Sequence, residues 1–208
     1  MLGAEQSGFI ADLGYETYQK ILTEAVTELK NDEFAELYAV EGEQVKAGEE
    51  VISGEEFVAE CNIESDLELL FPADYIPSSS ERMLLYRELD GLELDKDVLL
   101  YKERLEDRFG KVPLEGEELM RIVPLRRLGK RLGAEKIVLK TGRMVFYFVS
   151  NPDSIYYQSI AFGKVLDYMA KHPRNCNLRE QNGKRSMVIK DVTTVEMAVS
   201  ILQEMFAM

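Results

Sequence analysis

The chain has 208 residues, of which 46% are hydrophobic and 30% are charged, and its formal net charge is -13. This composition is typical of a globular protein that can bury one substantial core or two small ones. No apolar run approaches the roughly 20 residues that a membrane-spanning helix needs, and the N-terminus lacks the basic and then apolar order of a secretion signal. We therefore expect a cytoplasmic protein without a membrane partner.

The charge is distributed unevenly along the chain. Residues 1–75 contain 19 acidic and 3 basic residues, whereas residues 76–208 contain 19 acidic and 22 basic residues. Binding to phosphates depends on accumulated Lys and Arg contacts. A chain with this net negative charge therefore does not attract nucleic acid through its overall electrostatic field. Any contact with DNA must therefore be local.

The first part of the sequence predicts an extended segment, a helix and a linker. Glycine recurs in residues 1–14, which we expect to complete a motif that begins before this chain. Apolar residues at helical spacing from Tyr15 to Leu29 predict an amphipathic helix. Glu and Gly dominate the stretch that follows and predict an acidic linker. The predicted organisation is an N-terminal segment 1–30, a linker 31–56 and a compact C-terminal domain 57–208.

The C-terminal domain is predicted to begin with a strand. Alternating apolar residues from Val58 to Leu70 indicate this strand, and two prolines predict an extended path over residues 71–77. Ser78 and Glu81 have the spacing of a capping box, which predicts a helix that reaches about Leu89.

Two further helical stretches follow. Asp95 begins the first of them, and Gly110 and Pro113 end it. The second extends from about Glu115 to Leu132. Because a proline inside a helix removes a hydrogen bond, Pro124 predicts two pieces or a bend in that stretch.

Two hairpins and two helices complete the pattern. Thr141-Gly142 and Asn182-Gly183 are dipeptides suited to tight turns between strands, so each predicts a β-hairpin. Residues 154–171 between the hairpins predict a helix, and Thr193 with Glu196 predicts the cap of the last helix. The sequence therefore predicts an α+β fold with several helices and two segregated hairpins.

Residues that could support catalysis are sparse. Gly163-Lys164-Val165, the nearest approach to a phosphate-binding loop, falls inside a predicted helix. His172 lies at a predicted helix end, without a nucleophile signature to accompany it. We interpret the acidic pairs, such as Glu117-Glu118, as solvated surface, and Cys61 and Cys176 as small buried hydrophobes. We expect no catalysis, no bound cofactor and no metal site in this chain.

One stretch concentrates positive charge against the single acid Glu135. It could be a solvated helix face, an intramolecular or protein contact, or a DNA-binding strip. Phe146 and Tyr147 follow the strip rather than interleave with it, so the pattern supports stacking on single-stranded nucleic acid only weakly. The candidate interaction residues are Arg121, Arg126, Arg127, Lys130 and Arg131, and Lys136, Lys140 and Arg143 extend the same strip.

Three sequence stretches together resemble one protein family. Residues 2–8, Leu-Gly-Ala-Glu-Gln-Ser-Gly, resemble the end of the translocation motif in bacterial transcription-repair coupling factors and in the fork-reversal helicase RecG. Residues 72–77, Pro-Ala-Asp-Tyr-Ile-Pro, with Arg82 and Tyr86 resemble the C-terminal domain of the coupling factors. Leu-Glu-Asp-Arg-Phe-Gly at residues 105–110 resembles the same domain.

The resemblance implies a role that the residues alone do not show. Intact coupling factors are ATP-dependent translocases on double-stranded DNA, which displace stalled RNA polymerase and recruit UvrA for nucleotide-excision repair. ATP and magnesium bind in helicase lobes that precede this region. Gly3, Gln6 and Gly8 match a loop that couples nucleotide state to DNA movement.

By the same resemblance, this chain is a non-catalytic regulatory domain. The C-terminal domain of the family packs on the UvrA-recruiting module, hides its binding surface and restrains the motor. We therefore expect an autoinhibitory domain whose partner is that module. The alternative is a duplex-DNA-binding module that uses the basic strip at residues 121–143.

Overall fold

A computed structural model describes residues 57–208. The expectations for the N-terminal segment 1–30, including the helix from Tyr15 to Leu29, and for the linker 31–56 lie outside the described residues.

The described part of the chain contains six α-helices, one 3₁₀ helix and five strands. In chain order these are β1 (Asn62–Ser65), α1 (Ser79–Asp90), α2 (Asp95–Phe109), α3 (Leu114–Met120), α4 (Ile122–Arg131), β2 (Ala134–Lys140), β3 (Arg143–Phe148), the 3₁₀ helix (Ile155–Gln158), α5 (Ile160–Lys171), β4 (Cys176–Gln181), β5 (Lys184–Lys190) and α6 (Val195–Phe206). The α+β class predicted from the sequence is confirmed.

All five strands belong to one sheet with the order β1-β2-β3-β5-β4. Strand β1 is parallel to β2, and the other neighbours are antiparallel. Both predicted hairpins are present, because Thr141-Gly142 and Asn182-Gly183 each supply two consecutive positive φ angles for a tight turn. The hairpins are not segregated, however. Strand β3 pairs with β5 and joins them into a single sheet.

A first hydrophobic core lies between one face of this sheet and helices α4, α5 and α6. Side chains alternate between the two faces of a strand, and the strand residues that reach this core follow that period. Helix residues such as Leu128, Val165 and Leu202 cover them. The inward strand residues include Ile137, Leu139, Met144, Phe146, Phe148, Met187 and Ile189.

A second hydrophobic core is helical and gathers α1, α2 and α3 around the segment that precedes α1. Its buried side chains include Phe71, Ile76, Leu85, Leu89, Tyr101 and Leu105. The Tyr101 hydroxyl donates to the Leu85 carbonyl over 2.9 Å and fastens α2 to α1. Burial raises the pKa of Tyr101, so this hydroxyl keeps its proton and its donor role.

The residues that carry the family resemblance build this helical core. The Tyr75 hydroxyl donates to the Gly110 carbonyl over 2.9 Å, and its ring lies 5.8 Å from that of Phe109. The Phe71 and Tyr86 rings stack at 5.5 Å, and the Tyr86 hydroxyl accepts from the Phe71 N–H. The motif residues therefore form the contacts that join residues 71–77 to helices α1 and α2.

The beginning of the domain differs from the prediction in two ways. The strand expected from Val58 to Leu70 is limited to Asn62–Ser65. The path over residues 71–77 is a turn and not extended, because the N–H groups of Tyr75 and Ile76 both donate to the Pro72 carbonyl. A proline carbonyl can close such a turn although the proline lacks an N–H donor.

The predicted helices from Ser78 to Leu132 are confirmed with local detail. The Ser78 hydroxyl accepts from the Glu81 N–H and caps α1. The stretch around Pro124 is indeed two helices, α3 and α4, which meet at Arg121. Pro124 occupies the first turn of α4, where an N–H has no intrahelical acceptor and its loss costs little.

Two later helix boundaries differ from the prediction. The stretch expected to be helical over residues 154–171 is divided at Ser159, whose hydroxyl caps α5 by accepting from the Phe162 N–H. The cap of α6 is Thr194, not Thr193, because the Thr194 hydroxyl accepts from the Met197 N–H. In both cases a side-chain hydroxyl accepts a hydrogen bond from a backbone N–H in the first turn of the helix, and this bond sets the residue at which the helix begins.

Candidate functional site

Arg126 and Arg127, the centre of the predicted basic strip, connect the two cores. Arg126 donates to the Asp90 carboxylate over 2.8 Å and to the carbonyls of Asp90 and Leu92. Arg127 contacts the Asp95 carboxylate at 2.6 Å. Both arginines therefore fasten α4 to the end of α1, the start of α2 and the residues between them.

The Arg126 contacts predict a measurable loss of stability. We expect Arg126→Ala to lower the free energy of unfolding by about 2 kcal/mol, because three charge-assisted hydrogen bonds are removed together. Asp90→Ala should cost less than about 1 kcal/mol, since the Asp90 side chain is mostly exposed and Arg126 keeps its carbonyl acceptors. Urea unfolding measures both. Equal losses would contradict the role given to the carbonyls.

Arg121 lies at the break between α3 and α4 and contacts a buried carboxylate. Its guanidinium is 3.1 Å from Glu118 and 3.3 Å from Glu196 on α6. Glu118 is only 8% exposed and also accepts from the Val195 N–H, the first of α6. The interpretation of Glu118 as solvated surface was therefore wrong. A negative charge at a helix N-terminus is stabilising, so Glu118 joins α3 to α6.

Glu117, next to Glu118 in sequence, has a different role. Its carboxylate accepts from the Lys102 ammonium over 2.7 Å, and this hydrogen bond lowers the pKa of Glu117. The interaction joins α2 to α3 at the rim of the helical core. It is present above the ordinary pKa of a glutamate and is lost as the pH falls through the lowered value.

The rest of the basic strip is divided between two places. The Arg131 guanidinium lies 4.5 Å from the centre of the Phe206 ring at the end of α6. Lys136 and Lys140 belong to β2 and contact the Glu64 carboxylate at 2.6 and 3.3 Å, and these hydrogen bonds lower the pKa of Glu64. Lys130 lies on α4 and is half-buried. The strip is continuous in sequence but not on the surface.

A groove between α1 and α2 has the opposite charge, and the sequence analysis missed it. This α1–α2 groove has a volume of about 650 Å³. Arg104 is its one lining cation, and Leu100, which is 59% exposed, and Tyr101 give it an apolar floor. The helical period predicts each helix but not which charges of two helices lie close together. Its acidic lining residues are Glu88, Asp97, Glu103 and Asp107.

The second exposed feature is the outer face of the sheet, opposite the helices of the first core. Strand register places Lys140, Arg143 and Lys190 in one cross-strand row, and Lys136, Tyr147 and Ser186 in another. Val138, Val145 and Val188 form the row between them. The predicted basic strip includes Lys136, Lys140 and Arg143 but no residue of β5, because the pairing of β3 with β5 brings together positions 39 to 47 apart in the sequence.

The cysteines, the histidine and the lysine that the sequence analysis assessed for catalysis are buried or hydrogen-bonded within the fold. Burial raises the pKa of the Cys61 thiol to about 12 and also raises that of Cys176, and both cysteines are buried as predicted. His172 ends α5, where its Nδ1 is 3.1 Å from the Tyr168 carbonyl. Lys164 of the Gly163-Lys164-Val165 stretch lies on α5 and donates to the Phe206 carbonyl.

Within residues 57–208, no group of three or more His, Cys, Asp or Glu side chains is placed to hold a metal ion. No helix in that range is long and apolar enough to cross a membrane. Gly3, Gln6 and Gly8, the predicted translocation-motif residues, lie outside the described residues.

Comparisons with known proteins show the fold and a similarity to one family. Residues 65–159 match the family model of the TRCF domain. A solved structure, the crystal structure of the C-terminal domain of a transcription-repair coupling factor, superposes with a TM-score of 0.57 over 71% of this chain and 94% of that chain, at 15% sequence identity. Residues 65–159 are thus similar to the TRCF domain family, and the described part of the chain shares the α+β fold of that structure.

Curated relatives from several bacteria share one description, transcription-repair-coupling factor. The transcription-repair-coupling factor of Rickettsia bellii is 28% identical over 183 residues, and that of Rickettsia typhi is 26% identical over 182 residues; each match covers 88% of this chain and 14% of the relative. The factor of Staphylococcus epidermidis is 26% identical and covers 80% of this chain and 13% of the relative. Most of this chain is therefore similar to part of bacterial transcription-repair-coupling factors, the family that the sequence resemblance named.

Proposed function

We propose that this chain is a non-catalytic, autoinhibitory C-terminal domain of a transcription-repair coupling factor, and that it masks the surface through which the whole protein recruits UvrA. The whole protein would be a cytoplasmic, ATP-dependent translocase on double-stranded DNA that displaces stalled RNA polymerase. ATP and magnesium would bind in its helicase lobes, and this chain would hold no cofactor. Because the chain spans about one seventh of its relatives, those activities belong to the longer protein.

The α1–α2 groove is the observation that carries the masking proposal. Arg104 pairs with Glu88 within the groove. The other three carboxylates favour a basic partner surface, and the apolar floor supplies area to bury. Exposed apolar residues continue beside it, since Leu84 is 63% exposed one helical turn before Glu88. A monomer gains nothing from this exposure, so the groove is the best candidate for the contact with the UvrA-recruiting module.

A polar and partly apolar groove suits a contact that must open. Masking requires that the domain bind the resting arrangement better than the active one, because a ligand shifts an equilibrium only by its differential affinity. Covalent linkage to the module raises the effective concentration to about the millimolar range, so a weak interface suffices. Salt should weaken the charged part of the interface.

The proposal is tested by calorimetric titration of this chain into the purified UvrA-recruiting module at two salt concentrations, with duplex DNA as a parallel ligand. We expect binding to the module that weakens at high salt. Binding to duplex DNA alone would favour the alternative that the basic strip is a DNA-binding module. If the chain bound neither ligand, the proposal that an isolated α1–α2 groove binds the module would be contradicted.

A matched pair of variants locates the contact. Asp107 lines the groove, whereas Asp167 is an exposed carboxylate on α5, which packs on the other core. Asp107→Lys should weaken module binding at least about tenfold, because a like charge then faces a basic partner. Asp167→Lys changes the net charge equally and should have little effect. Equal weakening would mean that net charge, and not the groove, governs the association.

A further inference from the structure

The outer face of the sheet carries positive charge that its own contacts do not neutralise. Alternation along β2 to β5 places six cations on this face: Lys136, Lys140, Arg143, Arg179, Lys184 and Lys190. Glu64 contacts Lys136 and Lys140. The other four form no ion pair within residues 57–208, although Asp66 and Asp191 lie near the hairpin end of the face.

Three of these cations lie side by side across the sheet. Lys140 is opposite Arg143, and Arg143 is opposite Lys190. Like charges directly opposite each other on one face destabilise a sheet. A chain with 38 acidic residues nevertheless places three bases in this row. Glu64 contacts only Lys140 in this row, so an anionic ligand at Arg143 and Lys190 would offset the remaining repulsion.

An exposed aromatic ring lies on the same face. Tyr147 in the central strand β3 is 38% exposed. The other tyrosines of residues 57–208 each have a hydrogen bond or a ring contact, for example Tyr101 with the Leu85 carbonyl and Tyr168 with the His172 ring. Tyr147 has neither within that range. Its cross-strand neighbours are Ser186, which is small, and Lys136.

We propose that the outer face of the sheet binds single-stranded nucleic acid, with phosphates on the row Lys140–Arg143–Lys190 and a base stacked on Tyr147. Aromatic side chains within a cationic surface are the arrangement by which proteins bind unpaired nucleotides, because every base has a face to stack. A duplex presents chiefly phosphates to a flat surface, and an acidic peptide needs the cations but not the ring. This proposal does not depend on the masking function.

The test uses fluorescence anisotropy of a labelled oligothymidylate titrated with the full 208-residue chain over a range of salt concentrations. Tyr147→Ala should weaken binding about tenfold or more, and Tyr147→Phe should retain it, because the ring stacks without its hydroxyl. Lys190→Ala should reduce the slope of log K against log salt by about 0.7, the value for one phosphate contact on a single strand. Lys171→Ala, which removes an exposed lysine on the opposite layer, is the matched control and should change neither quantity.

Three results would overturn the proposal. The first is an absence of oligothymidylate binding at low salt by the folded chain. The second is binding that Tyr147→Ala leaves unchanged while circular dichroism shows the native fold. The third is equal binding of polyglutamate that is also insensitive to Tyr147→Ala, which would assign the face to an acidic protein partner.

Discussion

Gly133→Ala, which adds a single methyl group, is expected to lower the free energy of unfolding by about 4 kcal/mol. Gly133 has a φ of 81°, and a Cβ there would lie 2.1 Å from Cε2 of Tyr156. The ring cannot move away easily, because it is fully buried and its hydroxyl donates to the Leu132 carbonyl. The variant thus combines backbone strain with a steric clash. Thermal unfolding should show a decrease in Tm of about 10 °C.

Gly183→Ala separates the two contributions to that loss. Gly183 has a similar φ of 74°, but nothing lies within 4 Å of the position that its Cβ would occupy. Only the backbone strain remains, so we expect a loss of about 1 kcal/mol. If both variants lost the same free energy, Tyr156 would not be packed against Gly133 as described.

Glu118→Ala is expected to lower the free energy of unfolding by about 3 kcal/mol in urea unfolding. The substitution removes the acceptor of the Val195 N–H and a negative charge from the N-terminus of α6. Arg121 keeps Glu117 and Glu196 as partners, which limits the loss. Because Glu118 joins the two cores, the transition should also become less cooperative.

Two further variants qualify the Glu118 result. Glu118→Gln keeps an acceptor for the Val195 N–H but not the charge, so it should cost about 1 kcal/mol. Glu103→Ala removes an exposed carboxylate and should change stability by less than about 0.5 kcal/mol. A Glu118→Ala loss no greater than that of Glu103→Ala would mean that Glu118 is solvated after all.

The parts of the fold that depend on local chemistry could be predicted from the sequence. The two tight turns need positive φ angles, which Thr141-Gly142 and Asn182-Gly183 supply, and the Ser78 hydroxyl caps the helix that follows it. The joining of the hairpins could not be predicted in this way. It depends on the pairing of β3 with β5, and no local pattern specifies which strands become neighbours.

The candidate surfaces were harder to predict than the helices and strands. The basic strip is continuous in sequence, but Arg126 faces Asp90 whereas Lys140 faces Glu64, so its members lie in different places. The α1–α2 groove was missed because exposed acids have no distinguishing sequence pattern. The outer face of the sheet had one signal, the alternation Lys184, Ser186, Val188 and Lys190, which shows its meaning only once β5 lies beside β3.

The domain therefore has two surfaces of opposite charge on separate cores. The α1–α2 groove is acidic and belongs to the helical core, whereas the outer face of the sheet is basic and belongs to the sheet core. Arg126 and Arg127 of α4 connect the cores. Because the two surfaces consist of different residues, a partner can occupy one of them while the other remains free.

Masking is tested most directly by UvrA binding to an intact coupling factor that carries this chain as its C-terminal part. Surface plasmon resonance would compare the unchanged protein with a variant carrying both Glu103→Lys and Asp107→Lys, and with Asp167→Lys as the control. If the α1–α2 groove holds the UvrA-recruiting module closed, the double variant binds UvrA more tightly than the unchanged protein, and the control does not. UvrA binding that is the same in all three proteins would contradict masking through this groove.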